Sequence, residues 1–590
     1  MTRPSVTTSS RLLLTLAAVA VAFAAADTYV VVLALPDMMT ATGLSLDQLQ
    51  RAAPIVSGFL LGYIAILPLI GRIADLRGRM PVLLGSLVVF AVCSVITAAA
   101  YDLDTMVIGR FLQGAGGGGL VPATLALVAD LWPADRRGLP LGVIGAVQEL
   151  GSVLGPLYGA AVLAVGDWRA IFWLNTAVGL VLAAAMLGCR GERIESPVDP
   201  RSRGHPDATG AGLALLGLAG VALVMLEPRS LLTDVTYGLA FLPVVGDSRW
   251  LTPLALVVYG LLALFLLRQL TAKHPMLAWR TWGSTLRATD LPGALLLGAA
   301  LAGIILAFAT ADPEVRVFSP AGPYLLAGSA LAAGLFGWRQ TRARDPLIPR
   351  GSLQARPAWG ALAVSFFVGA SLISALVDIP FFARLTAYPD SQLDAALVLV
   401  RFLAALPVGA LLGGWLTRYV SAAMLAAVSM LLAASGFFWM STWGADALDQ
   451  ASSTVPLVLS GLGFGAAIAP VNAALLACTD AAVHGVSSAL LVVARMVGML
   501  IGVSALTTIG LRQYYAVADR IPPLADVCPD TVGTCEAYND QLLGAGLAQL
   551  EAVFIGAGVS ALLAAALAVV TLRGAGTRGT PTASVLQVVG

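Results

Sequence analysis

The sequence GVIGAVQELGSVLGPLYG, at residues 142–159, is an apolar stretch that carries a single acid, Glu149. The small or helix-bending residues that follow this acid are Gly151, Gly155, Pro156 and Gly159. At about 100° per residue, the three glycines share one stripe of a helix, and Glu149 lies about a quarter of a turn away. Small residues let helices approach closely in lipid, and a buried ionisable residue there is costly enough to suggest a function. We therefore predict a membrane helix with one packing face and one charged face, where Glu149 is either functional or a brace that pairs with an arginine.

Composition places the whole chain in a membrane. Of its 590 residues, 58% are hydrophobic and 11% are charged, and the mean hydropathy is +0.88, which leaves too little polar surface for a soluble fold. The net charge of +1 gives no reason to expect nucleic acid as a partner. The three histidines are too far apart in sequence to form a metal motif. Since no nucleophile, phosphate-loop or nucleotide-binding signature occurs, we expect no enzyme, no metal and no bound cofactor.

Apolar spans of membrane-crossing length divide the chain into three parts. We predict an all-α polytopic membrane protein with about sixteen spans, arranged as six, two, two and six. Residues 1–190 form a six-helix bundle, residues 191–356 a central linker with four spans, and residues 357–575 a second six-helix bundle. The second bundle includes an extended extracytoplasmic segment at about 512–544, and residues 576–590 form a cytoplasmic tail. We expect the glycine stripe described above to pack against a helix of the second bundle.

The four central spans look like a duplicated pair. The motif DATGAG at Asp207 precedes the first span as DLPGA at Asp290 precedes the third. The motif KHPML at Lys273 follows the second span as RDPLI at Arg344 follows the fourth. The sequence therefore predicts two similar helical hairpins between the bundles.

The distribution of basic residues sets the orientation. Most of the 34 Lys and Arg residues fall in loops on the side of the N-terminus, so the positive-inside rule predicts that both termini are cytoplasmic. The loop that carries Cys528 and Cys535 then lies outside the cytoplasm. A disulfide between these two cysteines is expected there, and two free thiols are the alternative.

Six charged residues fall within the predicted spans: Asp27, Glu149, Asp378, Arg110, Arg401 and Arg495. At about 1.5 Å per residue, Asp27 and Arg110 both lie in the outer half of the membrane, where they can pair. Glu149 lies near mid-depth, together with Arg401 and Arg495. A carboxylate there balances desolvation against the charge of a nearby arginine, and this balance changes as a cavity opens and closes. These residues are therefore candidates for proton-coupled transport.

Two of these charges leave alternatives open. Arg401 either pairs with Glu149 or is a lone cation of the cavity. Asp378 lies two residues before Pro380, so it is either a member of the proton-coupling set or a structural cap at an outer helix end.

A charged loop separates the second and third spans. Its candidate gate residues are Gly71, Arg72, Asp75, Gly78 and Arg79. The glycines suit a tight turn, and the charges suit helix caps and charge-assisted bonds across a cytoplasmic seam. This loop resembles the signature of the major facilitator superfamily, and residues 142–159 resemble the antiporter signature of its 14-helix drug:proton antiporter branch. The resemblance implies two six-helix bundles with a central helix pair, and this chain departs from it by having that pair twice.

A closer likeness rests on the segments ADTYVVV, LLGYIAILPLIGR, QELGSVLGPLYG, ALVDIPFF and VVARMVGMLIGVSAL. They resemble the mycobacterial branch that exports triacylglycerides together with a lipid-carrying lipoprotein. The resemblance implies that transport depends on Asp27, Glu149 and Arg495. It also implies a long, outward-projecting pair formed by the last two helices of the second bundle, with which the polar insert at 512–544 agrees.

These observations predict a secondary transporter that works by alternating access and is driven by the proton gradient, with no other cofactor. We expect it to export triacylglyceride-like lipids or other large apolar molecules. The alternative is a multidrug:proton antiporter for small amphiphilic drugs, and a membrane-embedded enzyme or a non-transporting scaffold is a third reading. We expect a monomer in the bacterial plasma membrane, with a lipid-carrying extracytoplasmic lipoprotein as a candidate partner.

Overall fold

A computed structural model describes residues 8–44, 49–133, 136–188, 207–234, 236–246, 248–272, 283, 285–286, 288–309, 321–389, 391–527 and 535–577. These residues form helices, turns and loops, and no β-strand occurs among them. The predicted all-α class is confirmed. The motif at Lys273 lies outside the described residues.

Sixteen helices of at least 19 residues lie in this described part, and we number them in chain order. The first block contains α1 (Thr8–Ala41), α2 (Leu49–Arg77), α3 (Arg79–Ala98), α4 (Leu103–Leu131), α5 (Gly138–Val165) and α6 (Trp168–Gly188). The central block contains α7 (Ala208–Leu226), α8 (Pro253–Thr271), α9 (Leu291–Ala309) and α10 (Gly322–Arg342). The last block contains α11 (Arg356–Leu385), α12 (Gln392–Leu416), α13 (Ala422–Met440), α14 (Thr454–Ala477), α15 (His484–Ala518) and α16 (Glu536–Thr571).

Twelve helices in the described residues have the length and hydropathy to cross a membrane. The chain is therefore a multi-pass membrane protein, as predicted. The predicted count of about sixteen spans is not confirmed, and the domain boundaries drawn from the sequence stay predictions.

Glycines bring the helices of the first block into backbone contact. Gly114 of α4 lies against the backbone of Phe59 in α2, and Gly116 lies against Phe90 in α3, where a Cβ would come within 2.5 Å of the Phe90 nitrogen. Without a hydrophobic driving force between helices in lipid, such close contact supplies the packing energy. Helix α4 is consequently the central helix of this bundle.

The glycine stripe of α5 packs against a different helix from the one predicted. Gly151, Gly155 and Gly159 face α1 of the same bundle, where the carbonyl of Ala26 lies 2.6 Å from a Cβ placed on Gly155. The expectation that this stripe contacts the second bundle is wrong. Pro156 lies within α5, but its side chain is outside the described part.

The central helices form two hairpins, α7 with α8 and α9 with α10. An ion pair closes each hairpin at the corresponding position: Arg268 bonds to Asp207 at 3.0 Å, and Arg339 bonds to Asp290 at 2.6 Å. The hydrogen bonds from Arg268 and Thr209 lower the pKa of the Asp207 carboxyl to about 2, so this carboxylate stays charged in any cellular compartment. The matched ion pairs agree with the duplication in the sequence.

The last hairpin is longer than a membrane is thick. Helix α15 has 35 residues and α16 has 36, which makes each about 50 Å long, against roughly 30 Å of hydrocarbon in a bilayer. Much of the predicted polar insert at 512–544 is therefore a continuation of these two helices. Cys535 precedes α16 and is disulfide-bonded, but Cys528 lies outside the described residues, so their pairing stays a prediction.

The contact between α5 and α1 generates a stability prediction. We expect Gly155→Ala to lower the free energy of unfolding by about 1–3 kcal/mol, because the added methyl group overlaps the backbone of α1. The measurement is thermal unfolding of the purified protein in one detergent.

Gly334→Ala, in α10, is the matched control because a Cβ at Gly334 meets no atom within 4 Å. It should leave the melting temperature unchanged or raise it slightly through helix propensity. Equal melting temperatures for the two variants would contradict the packing argument.

Candidate functional site

Two of the predicted mid-depth charges meet across the interface between the bundles. Arg495 Nη1 of α15 lies 3.9 Å from Glu149 Oε1 of α5, and the two side chains are 13% and 12% exposed. Each residue lies eleven positions after the start of its helix, about 16 Å along the axis. The distance is that of an ion pair without a direct hydrogen bond. This pair joins two helices that belong to different bundles.

Helix packing holds each member of this pair in place. Gly151 and Gly155 hold α5 against α1, and Gly498 and Gly502 hold α15 against α11. Arg495 is three positions before Gly498 and seven before Gly502, so it lies close to the face of α15 that makes this contact. Both charges are carried by helices that are fixed to their own bundle, so their separation reports on the separation of the bundles.

Arg401 and Asp378, the two candidates with open alternatives, have different surroundings. Arg401 donates a hydrogen bond to Thr454 Oγ1 at 3.1 Å, within the second bundle, so Arg495 and not Arg401 pairs with Glu149 here. Asp378 lies inside α11, which continues through Pro380 to Leu385. The prediction that Asp378 caps a helix end is therefore wrong.

The outer charges form a buried pair inside the first bundle. Arg110 Nη1 donates to Asp27 Oδ2 at 2.6 Å, and neither side chain is exposed. Asn175 of α6 donates to the other oxygen of Asp27. The Arg110 guanidinium also donates to Gln113 Oε1 at 2.8 Å and lies 4.4 Å above the ring of Phe59. These bonds connect α1, α2, α4 and α6 at one level.

This network was only partly visible in the sequence. The expectation that Asp27 and Arg110 can pair agrees with the structure, but Asn175 was missed. The signal was available, because Asn175 carries the one side-chain amide of α6, a helix that is apolar apart from Arg169, Asn175 and Thr176. A polar residue within a span normally has a partner.

The charged segment at the junction of α2 and α3 binds the first turn of α15. The sequence predicted a loop here, but Asp75 lies in the last turn of α2, and only Gly78 separates the two helices. Asp75 accepts hydrogen bonds from the backbone nitrogens of Gly485 at 2.7 Å and Val486 at 2.9 Å. The first N–H groups of a helix lack partners within it and carry partial positive charge. Asp75 of the first bundle therefore caps a helix of the second bundle, and its side chain is fully buried.

The remaining gate residues support Asp75. Arg79 lies 3.2 Å from Asp75 and 3.3 Å from Asp130, and it donates to the carbonyl of Ala481 across the seam. The charge of Arg72 also acts on Asp75. Gly78 has a φ of 93°, which favours glycine at the turn into α3.

Glycines make close contacts on both sides of this seam. Gly71 lies 2.5 Å, measured from a Cβ placed on it, from the carbonyl of Gly485. On the other side, a Cβ placed on Gly414 of α12 would clash with the backbone of Gly138 and Gly142 in α5. The stretch 142–159 thus does reach the second bundle, but through Gly142, Gly145 and Glu149 rather than through the predicted stripe.

A small cavity lies between the two bundles above the seam. Its volume is about 40 Å³, and its polar lining consists of Gln148, Asn472, Arg495 and Ser365 among mainly aliphatic side chains. Ligand sites usually measure roughly 300–1,000 Å³. The structure is therefore a closed state, and a large substrate can enter only when the bundles separate.

Comparisons with known proteins agree with this architecture. The pattern of the Major Facilitator Superfamily matches residues 17–338. A triacylglyceride transporter of Mycolicibacterium hassiacum is 35% identical over 86% of this chain and 80% of its own length. A triacylglyceride transporter of Mycobacterium tuberculosis is 34% identical over 88% of this chain and 86% of its own length. The crystal structure of the human organic anion transporter MFSD10 has a TM-score of 0.54 and 14% identity over 96% of this chain and all of that one, which shows a shared fold.

The buried pair generates a prediction of stability. Replacing one partner leaves the other charge buried and unpaired, so we expect Arg110→Met to cost about 3–5 kcal/mol. The double variant Asp27→Asn/Arg110→Met should cost clearly less than the sum of its two single variants. A double-mutant cycle measured by unfolding in one detergent checks this coupling.

Asp104→Asn is the control for this cycle, because Asp104 is an exposed acid in the first turn of α4. It should show no coupling to Arg110→Met. Additive effects of Asp27→Asn and Arg110→Met would contradict a direct interaction.

The seam generates a prediction of conformation. An asparagine at position 75 removes the negative charge from the α15 N-terminus, so we expect Asp75→Asn to increase the population in which the two bundles are separated at this seam. Spin labels on cysteines at Pro133 and Arg418, which are exposed on the two sides of the seam, should report a longer distance.

Asp480→Asn removes an exposed acid that forms no side-chain cap and should leave the distance distribution unchanged. The same distribution for Asp75→Asn and the parent protein would show that the capping bond does not hold the seam.

Proposed function

Because this chain belongs to the major facilitator superfamily of membrane transporters, we propose that it exports triacylglyceride-like lipids by alternating access, driven by the proton gradient. The chain is a transporter and not an enzyme, as the sequence predicted. The lipid substrate, the coupling ion and the direction of transport are parts of the proposal.

The ion pair between Glu149 and Arg495 carries the proposal. It spans the two bundles beside the cavity. Protonation of Glu149 neutralises the carboxylate and removes its attraction to Arg495. The bundles can then separate on one side without the electrostatic cost of pulling two opposite charges apart in a medium of low dielectric. Loss of the proton restores the attraction. A proton that enters from outside and leaves to the cytoplasm would thus drive one cycle.

The gate at Asp75 supplies the second element of alternating access. Its bonds to α15 and the glycine contacts of α5 with α12 close the cytoplasmic side. We propose that this seam opens to admit substrate and closes before release on the other side. The buried pair of Asp27 and Arg110 lies within one bundle, so in this mechanism it keeps the bundle rigid during the movement.

Three observations favour a lipid over a small drug. The cavity lining is mainly aliphatic, and the curated relatives at 34–35% identity are named triacylglyceride transporters. In addition, α15 and α16 extend about 20 Å beyond the thickness of a bilayer's hydrocarbon. We propose that this extension guides lipid away from the membrane to a lipid-carrying lipoprotein. The exporter would be a monomer in the bacterial plasma membrane with both termini in the cytoplasm.

Transport in proteoliposomes tests the proposal. Vesicles that contain inside-out protein are given a labelled triacylglyceride and a labelled cationic drug, with or without an acidic interior. We expect the acidic interior to raise lipid transfer several-fold. Glu149→Gln should abolish this stimulation, because the amide cannot exchange a proton.

Glu551→Gln is the matched control, since Glu551 is an exposed acid of α16. It should retain the stimulated rate. Full stimulation in Glu149→Gln at equal protein levels would exclude the proton switch. Transfer of the drug but not of the lipid would replace the proposed function by multidrug:proton antiport.

A further inference from the structure

We propose that the groove between α9 and α10 is a binding site for one anionic phospholipid of the surrounding membrane. One acyl chain would lie between the two helices, and the phosphate would bind Arg342 at the end of α10. This site lies on the lipid-facing side of the second central hairpin, outside the cavity between the bundles. The inference does not depend on the transported substrate.

The groove has the size and chemistry of an acyl-chain site. Its volume is about 490 Å³, and its lining is apolar apart from Arg339 at one end. Leu295, Leu335 and Trp338 are 64%, 43% and 58% exposed. From Pro292 to Ala299, the groove follows α9 for about 10 Å, against roughly 15 Å of hydrocarbon in one leaflet. In a membrane, lipid chains are the molecules that cover such a surface.

Charge at the end of the groove selects the headgroup. Arg342 is exposed and lies 5.3 Å from the ring of Trp338. Arg350 donates to the last carbonyls of α10, those of Thr341 and Ala343, and so offsets the negative end of that helix dipole. Residues 339–356 contain five arginines and one acid, Asp345. A phosphate is the complement of this surface, because guanidinium groups bind it by charge-assisted hydrogen bonds.

The neighbouring arginine is fixed in a different role. Arg339 donates to Asp290 at 2.6 Å and thereby closes the hairpin beside the groove. Arg342 stands one turn further along the helix. Trp338 lies between the apolar lining and this charge, which is where tryptophan is enriched in membrane proteins. At this end of the groove, the surface thus changes from the apolar lining to the aromatic Trp338 and then to the cationic Arg342.

The first hairpin provides an internal comparison. We align the two hairpins on their ion pairs, Asp207–Arg268 and Asp290–Arg339. In this alignment, Leu267 corresponds to Trp338, and Thr271 corresponds to Arg342. The two hairpins share the bond that holds them together. At these two matched positions, the second hairpin has an aromatic ring and an exposed guanidinium, where the first has Leu267 and Thr271. Fold stability does not require these two residues, since the first hairpin forms without their counterparts.

Charge complementarity therefore favours an anionic lipid at this site. A triacylglyceride or a zwitterionic lipid could place a chain in the groove, but a triacylglyceride has no phosphate for Arg342, and a choline headgroup adds a positive charge beside it. Basic pockets between membrane helices near a surface are known to bind acidic headgroups. The hairpin containing the site packs through α9 on α2 and α15, so bound lipid would adjoin helices of both bundles.

Lipid binding to the intact protein tests the inference. The full chain is purified in a mild detergent and titrated with phosphatidylglycerol or phosphatidylcholine of identical chains, and the bound lipids are counted by native mass spectrometry. We expect the first phosphatidylglycerol to bind at least 5-fold more tightly than the first phosphatidylcholine. The double variant Trp338→Leu/Arg342→Thr, which carries the residues of the first hairpin, should bind both lipids equally.

Trp415→Leu/Arg418→Thr is the matched control. Trp415 and Arg418 are also an exposed tryptophan and an exposed arginine at one helix end, but neither of them lines this groove. This variant should keep the preference for phosphatidylglycerol. The inference is overturned if the preference persists in Trp338→Leu/Arg342→Thr, if the control loses it equally, or if the parent protein shows none. Equal melting temperatures of all variants confirm that folding is not the cause.

Discussion

The carboxylate of Asp75 is bound to the free N–H groups of a helix that belongs to the other bundle. This interaction joins the two bundles at the seam between α2 and α15. The first N–H groups of a helix have no acceptor within that helix. In α15 these groups lie at the seam, where the Asp75 carboxylate accepts their hydrogen bonds. The partner, Asp75, lies in the last turn of α2, next to the tight turn into α3 at Gly78. One carboxylate of the first bundle thus fixes the position of a helix of the second bundle.

Two further pairs of charges show how location within the bundles divides their roles. The pair of Asp27 and Arg110 is completely buried, has several additional donors and acceptors, and connects helices of one bundle. Separating the two charges would leave each of them unpaired in an apolar medium, which costs several kcal/mol. Nothing within a rigid bundle offsets this cost. The pair of Glu149 and Arg495 is longer, partly exposed and shared between bundles. It is therefore the pair whose length follows the separation of the bundles.

The central hairpins illustrate what duplication preserves. Both keep an acid at the start of the first helix and an arginine near the end of the second, because this bond closes the hairpin. The residues around the bond differ, and so do the contacts. Helix α7 packs on α3 of the first bundle, whereas α9 packs on α2 and α15. The second copy therefore adjoins both halves of the transporter, and the first copy adjoins one.

Much of this molecule was determined by its sequence alone. Composition and span length were enough for an all-α membrane protein, because a chain in lipid must satisfy its backbone within helices. The charges inside spans identified the candidate site, because such residues are too costly to be incidental. Residues such as Gly155 were recognisable as packing positions from their spacing. These inferences depend on local properties of the chain.

The partners of these residues were decided only by tertiary structure. The stripe of Gly151, Gly155 and Gly159 could not reveal that it faces α1, because periodicity defines a face but not the neighbour that covers it. Likewise, equal depth left Arg401 and Arg495 as alternatives for Glu149, and Pro380 suggested a helix end near Asp378 although α11 continues through it. The backbone donors that bind Asp75 carry no sequence signal, since every helix has them. Which helices meet is set by the packing of the whole chain, and that information is not present in any one span.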